Sequence, residues 1–246
     1  MKRPSDVLPG LVMPAGQTQA VAPDRCKTCD DTGFKLVDNG TPRGAVTRCM
    51  DCLEKRLGLT PGVPADEQGT GLDSWERGEL EITDTNRAAI RQAGFFVQGV
   101  HPGLYLHGGV GTGKTALACA VLNDIHRAGK VAVRFVRVTE LLKQLVQSET
   151  GDLLYLKLVD VPVLCLDDIG AQRGSDYASQ TIQAVFDART DRMHRTILTS
   201  NLNLDELAEH QGNDERLASR IAGSCKVVNL EGPDYRLRKA KRRQGK

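Results

Sequence analysis

The sequence predicts an α/β protein in which a parallel sheet is flanked by helices, with a small separate module ahead of it. Three observations predict this. From residue 85 onward, strand-length apolar runs alternate with helix-length segments, as a parallel sheet with crossover helices requires. One strand-to-helix junction carries a glycine-rich run of fixed spacing. Two C-x-x-C pairs lie together near the start of the chain, followed by a stretch rich in Pro and Gly.

The glycine-rich run is Gly108-Gly109-Val110-Gly111-Thr112-Gly113-Lys114-Thr115, a match to G-x-x-x-x-G-K-[ST] at every fixed position. Gly103-Leu104-Tyr105-Leu106-His107 before it reads as a strand, and Ala116 to Ala128 after it reads as a helix. That context makes the run a phosphate-binding loop rather than an ordinary turn. Glycines let successive N–H groups turn inward onto phosphate oxygens, and the helix adds its positive N-terminal end. Lys114 is then placed for the β/γ-phosphates of a nucleotide, and the Thr115 hydroxyl for Mg²⁺.

The other elements follow in order. Thr85 to Val97 has helical spacing, and Val131 to Val136 is a β-branched run. Thr139 is placed to cap a helix carrying Leu141, Leu142 and Leu145. Val161-Pro162-Val163-Leu164-Cys165-Leu166 is a continuous apolar run, as in a buried parallel strand. It ends in Asp167-Asp168, where Asp167 suits a Mg²⁺ site and Asp168 suits polarisation of the attacking water. A helix over Asp176 to Asp191 and a strand over Arg195 to Thr199 come next. Asn201 beyond that strand can hold a water or sense a γ-phosphate, though Asn at a strand end also serves plain turn chemistry. Asp214 to Ile221 reads as a short helix with Arg216 and Arg220 four apart and so on one face, which is equally the pattern of a solvated face. Right-handed crossovers place the phosphate loop at the C-terminal edge of the sheet.

Net charge is only +2, so the chain as a whole is not a polycation. No apolar run approaches the roughly 18 residues that span a bilayer. Met1 to Ala20 is broken by Pro4, Pro9 and Pro14 and has no secretory apolar core. A cytoplasmic location is expected, where free cysteines stay reduced. Five segments result: a flexible N-terminus over 1–22, a cysteine module over 23–57, a linker over 58–71, the main domain over 72–236 and a basic tail over 237–246. The tail, from Leu237 to Lys246, is dense in Lys and Arg without interleaved aromatics. It suits either a solvated end or non-specific contact with nucleic-acid phosphates.

Cys26-Lys27-Thr28-Cys29 and Cys49-Met50-Asp51-Cys52 are separated by 19 residues. This is the spacing of a four-cysteine Zn²⁺ site, with two thiolates from each pair in tetrahedral geometry. With Cys26, Cys29, Cys49 and Cys52 all ligating, the metal is structural and supplies much of the folding free energy of so small a module. Cys119, Cys165 and Cys225 sit among apolar residues and read as core fillers.

The phosphate loop, then Leu166-Asp167-Asp168-Ile169-Gly170, Leu198-Thr199-Ser200-Asn201-Leu202, Ser219-Arg220 and Gly232-Pro233-Asp234-Tyr235-Arg236 form an ordered set. This set resembles the DnaC/DnaI/IstB-type branch of the AAA+ ATPases, over residues 72–236. The resemblance implies an AAA+ fold and ATP hydrolysis. It implies sensor 1 at Asn201 and sensor 2 at Arg236. Arg220 becomes an arginine finger acting on a neighbouring subunit's ATP, and so a basis for self-association. Asp168 stands where many AAA+ members carry Glu, one methylene longer, so slow hydrolysis used as a switch is expected. A zinc module in front of this ATPase type resembles DnaI-like helicase loaders, whose N-terminal part docks the replicative helicase. IstB-type transposition helpers, which act on double-stranded DNA with a transposase, usually lack it. The implied function is ATP-dependent helicase loading with ATP, Mg²⁺, Zn²⁺ and single-stranded DNA, and transposition help is the alternative.

Overall fold

The computed structural model describes residues 34–37, 45–48, 59–76, 84–129, 131–147, 151–171, 176–210 and 214–237. The chain divides into two units, residues 1–53 and 54–246. The described part of the first is a hairpin of β1 (Phe34–Val37) and β2 (Ala45–Arg48), antiparallel with Phe34 opposite Arg48. Residues 1–22, the four cysteines assigned to Zn²⁺ and the tail from residue 238 lie outside the described residues.

Among the described residues the second unit is built on five strands, all parallel: β3 (Gly103–His107), β4 (Val133–Arg137), β5 (Val163–Ile169), β6 (Arg195–Ser200) and β7 (Cys225–Asn229). Their order across the sheet is β4-β5-β6-β3-β7. The helices are α1 (Leu72–Glu76), α2 (Asp84–Val97), α3 (Lys114–Arg127), α4 (Val138–Gln147), α5 (Gly151–Asp160), α6 (Asp176–Asp191), α7 (Leu204–His210) and α8 (Arg216–Ser224). After β3 the chain crosses to the far edge at β4, works back through β5 and β6, and then places β7 on the other side of β3. The loop after β3 therefore opens at the point where the strand order reverses, where α/β sheets bind ligands.

Strand periodicity divides the core into two layers. Leu104 and Leu106 of β3, Val163 and Cys165 of β5 and Ile197 of β6 join one cluster with α2 and α3. Tyr105, Leu164, Leu166 and Leu198 join the other with α4, α5, α6, α7 and α8. Alternate residues thus face opposite layers, which explains why these strands read as unbroken apolar runs. Cys119 and Cys165 are buried within the first layer, and burial pushes the partly buried Cys225 thiol up to about 12. No helix among the described residues is long and apolar enough to cross a membrane.

Residues 59–71, which Pro and Gly mark as a linker, lie packed on this unit. Phe135 N–H donates to the Pro61 carbonyl at 2.9 Å. The Gln68 side chain accepts from Thr60 N–H and donates to the carbonyls of Thr60 and Val63. Buried Asn123 on α3 donates to the carbonyls of Glu67 and Thr70. Apart from a single 3-10 turn at Ala65–Glu67, side-chain amides satisfy the irregular backbone of the segment.

Arg189 on α6 is 0% exposed and ties the lower edge of the sheet together. Its guanidinium donates to Thr196 Oγ1 and to the carbonyls of Leu158, Val159, Val161, Pro162 and Arg195. Burial pulls its pKa down to about 10, so it stays charged at neutral pH. Arg189→Met keeps the length but leaves these acceptors without a donor. It should lower the urea unfolding free energy by about 3 kcal/mol. An unchanged unfolding midpoint would show that the segments at 158–162 and 194–196 do not depend on this cation.

Candidate nucleotide site

The phosphate loop, Thr115, Asp167, Asp168 and Asn201 come together at the C-terminal edge of the sheet. The loop from Gly108 to Gly113 leaves β3, and α3 begins at Lys114 with Gly113 as its N-cap in the left-handed region at φ 97°. A Cβ on Gly113 would stand 3.0 Å from the buried Trp75 ring. Gly111 also has positive φ, at 75°, and a Cβ there would run into the Asp234 carboxylate. Both positions therefore need glycine. Val110 is 61% exposed at the loop's apex, while Thr112 is buried and its hydroxyl donates to the Gly109 carbonyl at 3.0 Å. Lys114 Nζ donates to the carbonyls of Gly108 at 2.9 Å and Gly109 at 2.6 Å. The ammonium is thus held inside the loop, against the positions where phosphate oxygens sit.

Asp167 joins three elements. Its Oδ1 accepts from Thr115 Oγ1 of α3 at 2.9 Å and from Thr199 Oγ1 of β6 at 2.7 Å. Thr199 Oγ1 accepts in turn from Asp168 N–H at 2.9 Å. The ladder explains this cluster. Leu166 pairs with Leu198 and Ile169 with Ser200, so Asp167 and Asp168 together oppose the single residue Thr199. This is a β-bulge, and Asp168 takes up the extra residue with φ 65°. Asp tolerates that left-handed conformation better than most residues. A bulge re-aims side chains. Here Asp167 turns to Thr115 while Asp168 Oδ1 accepts from Asn201 Nδ2 at 3.4 Å.

Asn201 is itself placed by its neighbours. Ser200 Oγ donates to the Ile169 carbonyl and accepts from Leu202 N–H. The Tyr105 hydroxyl donates to the Leu202 carbonyl at 2.7 Å, and burial pushes that phenol up to about 12. His107, the last residue of β3, stacks on Tyr105 with ring centroids 5.7 Å apart.

The segment after β7 closes on the loop from the far side. Leu230 N–H donates to the His107 carbonyl and Tyr235 N–H to the Gly111 carbonyl at 3.1 Å. Asn86 Nδ2 donates to the Tyr235 hydroxyl at 3.2 Å. Arg236, assigned to the nucleotide from sequence, follows Tyr235 and is near enough to Lys114 to lower its pKa. Arg220 lies elsewhere. It sits on α8, 53% exposed, and its described partner is Asp187 of α6, with Nε 3.5 Å from Oδ1. It makes no described contact with its own phosphate loop. Arg216 is engaged by Asp214, with Nε donating to Oδ1 at 3.0 Å and Nη2 2.9 Å from Oδ2.

Burial dominates the site's electrostatics. It lowers the Lys114 pKa, against the opposing pull of Asp168 and, more weakly, Asp167. It raises the Asp167 pKa, opposed by the hydrogen bonds from Thr199 and Thr115. Arg137 of β4 stands 3.9 Å from Asp167 Oδ2 and also opposes the rise. Thr199, Trp75, Asn86 and the 230–235 segment had no assigned role from sequence. Thr199 and Gly232 to Tyr235 did fall within the ordered motif set, whereas Trp75 and Asn86 carried no signal.

The donor set fits ATP and Mg²⁺. Glycine-defined loop backbone and a lysine suit phosphates, and a buried carboxylate joined to a threonine hydroxyl suits a hard cation. Fold and site define a P-loop ATPase of the AAA+ class. Residues 94–243 match the family described as IstB-like ATP binding protein. The chain belongs to that family. The replicative helicase loader DnaI of Bacillus subtilis (strain 168) is 30% identical over 211 residues, covering 78% of this chain and 67% of that protein. A crystal structure of DnaI superposes with TM-score 0.59 at 30% identity, covering 70% of this chain and 93% of that one. The DnaC helicase loader superposes with TM-score 0.58 at 25% identity, covering 68% and 100%.

Asp167 gives a test of the site with a definite sign. Its raised pKa means the folded chain binds this proton more readily than the unfolded chain. The group's contribution to stability is present below the ordinary value of 3.8 and is lost as pH rises through the raised value. Asp167→Asn, which keeps an acceptor for both threonines, should melt at least as high as wild type at neutral pH. It should also lose the extra thermal stabilisation that Mg²⁺ adds to ATP. A variant that melts lower yet keeps its Mg²⁺ response would remove Asp167 from the metal site.

Proposed function

We propose that the protein is an ATP-dependent helicase loader of DNA replication, acting in the cytoplasm and binding ATP·Mg²⁺, single-stranded DNA and a replicative helicase. The observation that carries this reading is the 30% identity to a replicative helicase loader over 78% of this chain. The solved DnaI and DnaC loader chains are also covered over 93% and 100% of their lengths.

In this reading the loop from Gly108 to Gly113 surrounds the phosphates. Lys114 exchanges its carbonyl partners for phosphate oxygens, and Thr115 and Asp167 hold the cation. Bound there, Mg²⁺ would supply charge that offsets the phosphates. Asp168 accepts from the attacking water and Asn201 orients it, while Arg236 approaches from the 230–236 segment. Arg220 serves the site of a neighbouring protomer, which makes nucleotide state and assembly two sides of one equilibrium. Asp168 is short for its task and sits on a constrained backbone, so turnover is slow and works as a timing switch.

The N-terminal module is the helicase-docking part, folded around Zn²⁺ held by Cys26, Cys29, Cys49 and Cys52. The hairpin register supports this reading. Phe34 and Arg48 are paired at one end of the ladder, and in sequence the two C-x-x-C pairs come before Phe34 and after Arg48. A second reading, transposition helper on double-stranded DNA, is favoured by the IstB-like family match over residues 94–243. ATP-dependent filaments on duplex DNA with no helicase capture would select it.

Three outcomes are expected. The full chain co-elutes with the cognate hexameric helicase, and Cys26→Ser abolishes co-elution while lowering bound zinc by elemental analysis. Co-elution that survives with zinc absent would overturn the docking role of the module. Lys114→Ala removes ATP binding and turnover altogether. Arg220→Ala keeps ATP affinity but lowers kcat about 10³-fold, as expected for an arginine finger. A wild-type kcat in that variant would end the shared-site reading.

A further inference from the structure

Arg220 of α8 has a partner with no assigned role, Asp187 of α6. Asp187 Oδ1 is buried and accepts no hydrogen bond, an arrangement that costs free energy for a carboxylate. Arg220 Nε stands beside it at 3.5 Å. The contact is on the inner side of the guanidinium. Neither terminal nitrogen of Arg220 has a described partner, and these two are the pair that grips a phosphate or carboxylate end-on. Arg216, one turn earlier, differs in just this respect: its Nε and Nη2 are both taken by Asp214.

We propose that Asp187 is a positioning residue for Arg220: it holds the guanidinium by Nε and presents the free terminal nitrogens to the nucleotide of a neighbouring protomer. This rests on the shared-site reading above. The physical requirement is plain. A free arginine on a helix surface samples many rotamers, and each one frozen at the moment of reaction costs entropy. A carboxylate on the adjacent helix selects among these before the nucleotide arrives. An ion pair this exposed is weak, so it orients the side chain without competing with a phosphate for it. Asp187 touches neither substrate nor metal in this scheme and acts only through Arg220.

Mixed protomers separate the two ideas. Arg220→Ala protomers keep an intact loop and lack the arginine, whereas Lys114→Ala protomers keep the arginine and lack the site. If Arg220 acts in trans, mixing the two restores ATP turnover that neither shows alone. Adding Asp187→Asn to the Lys114→Ala protomer should then lower the restored kcat roughly tenfold, with KM for ATP unchanged. Asp187→Glu in the same protomer should recover most of the loss, because the carboxylate returns. Thermal melting of each donor protomer checks that it is folded, and the comparison with Asp187→Glu separates loss of the charge from loss of the fold. Restored turnover that is indifferent to Asp187→Asn overturns the positioning role while leaving the shared site intact. Mixtures that fail to restore turnover with Asp187 present overturn the shared site, and the positioning role with it.

Discussion

The hydrogen-bonded junction at Asp167 is the constraint on which the site depends. One carboxylate oxygen accepts from Thr115 on α3 and from Thr199 on β6, while its own backbone belongs to β5. Three separate elements meet at one buried anion. Burial without such donors would leave the carboxylate protonated or expelled. The two threonines are what allow an acidic group to sit there. The same contacts fix where α3 begins relative to the sheet, and so fix the phosphate loop that ends in that helix. Loop geometry and metal geometry are in this sense one problem with one solution.

The bulge is the second half of that solution. A regular strand would send Asp167 and Asp168 to opposite faces. Setting both against Thr199 instead lets one carboxylate turn inward to the helix and the other outward to Asn201. Holding a non-glycine residue at positive φ costs of order 1 kcal/mol or more. The Thr199 hydroxyl offsets part of this by accepting the Asp168 N–H. Thr199 thereby serves both aspartates, which is a stronger demand on that position than packing alone would make.

Much of this was legible in the sequence, and the limits are physical ones. The phosphate loop was legible because its chemistry is local: eight consecutive residues carry the turn, the glycines and the lysine. The central strands were legible because burial on both faces makes them uniformly apolar. β7 was not, since Cys225-Lys226-Val227-Val228-Asn229 is an edge strand with one neighbour and mixed exposure. Helix α5 was missed too, lying between two strands that were read correctly. β4 runs from Val133 to Arg137 and passes directly into α4 at Val138, so Thr139 falls inside the helix instead of capping it. The packed course of residues 59–71 was hidden for another reason: Gln68 and Asn123 satisfy that backbone from a distance, and composition carries no trace of such a bond. The closure of Trp75, Asn86 and Tyr235 around the loop is equally non-local. It joins residues up to 149 positions apart.

The charge balance of the site leaves room for one more cation. Lys114, Arg236 and Arg137 stand against Asp167 and Asp168: Arg137 lies 3.9 Å from Asp167, and Arg236 and the two aspartates shift the Lys114 pKa. These five groups sum to about +1 before any nucleotide is present. ATP arriving with one Mg²⁺ still carries net negative charge, and that charge spreads onto the γ-phosphate oxygens as transfer proceeds. A further cation is worth most at that moment, in a site partly screened from water. Within the protomer the exposed arginine of α8 is directed to Asp187, not to the phosphate loop. If that missing charge comes from a neighbour, the rate of hydrolysis becomes a measure of assembly. On that condition, a site too weakly positive to offset ATP·Mg²⁺ alone is no deficiency, because it would keep the nucleotide intact until a partner protomer is in place.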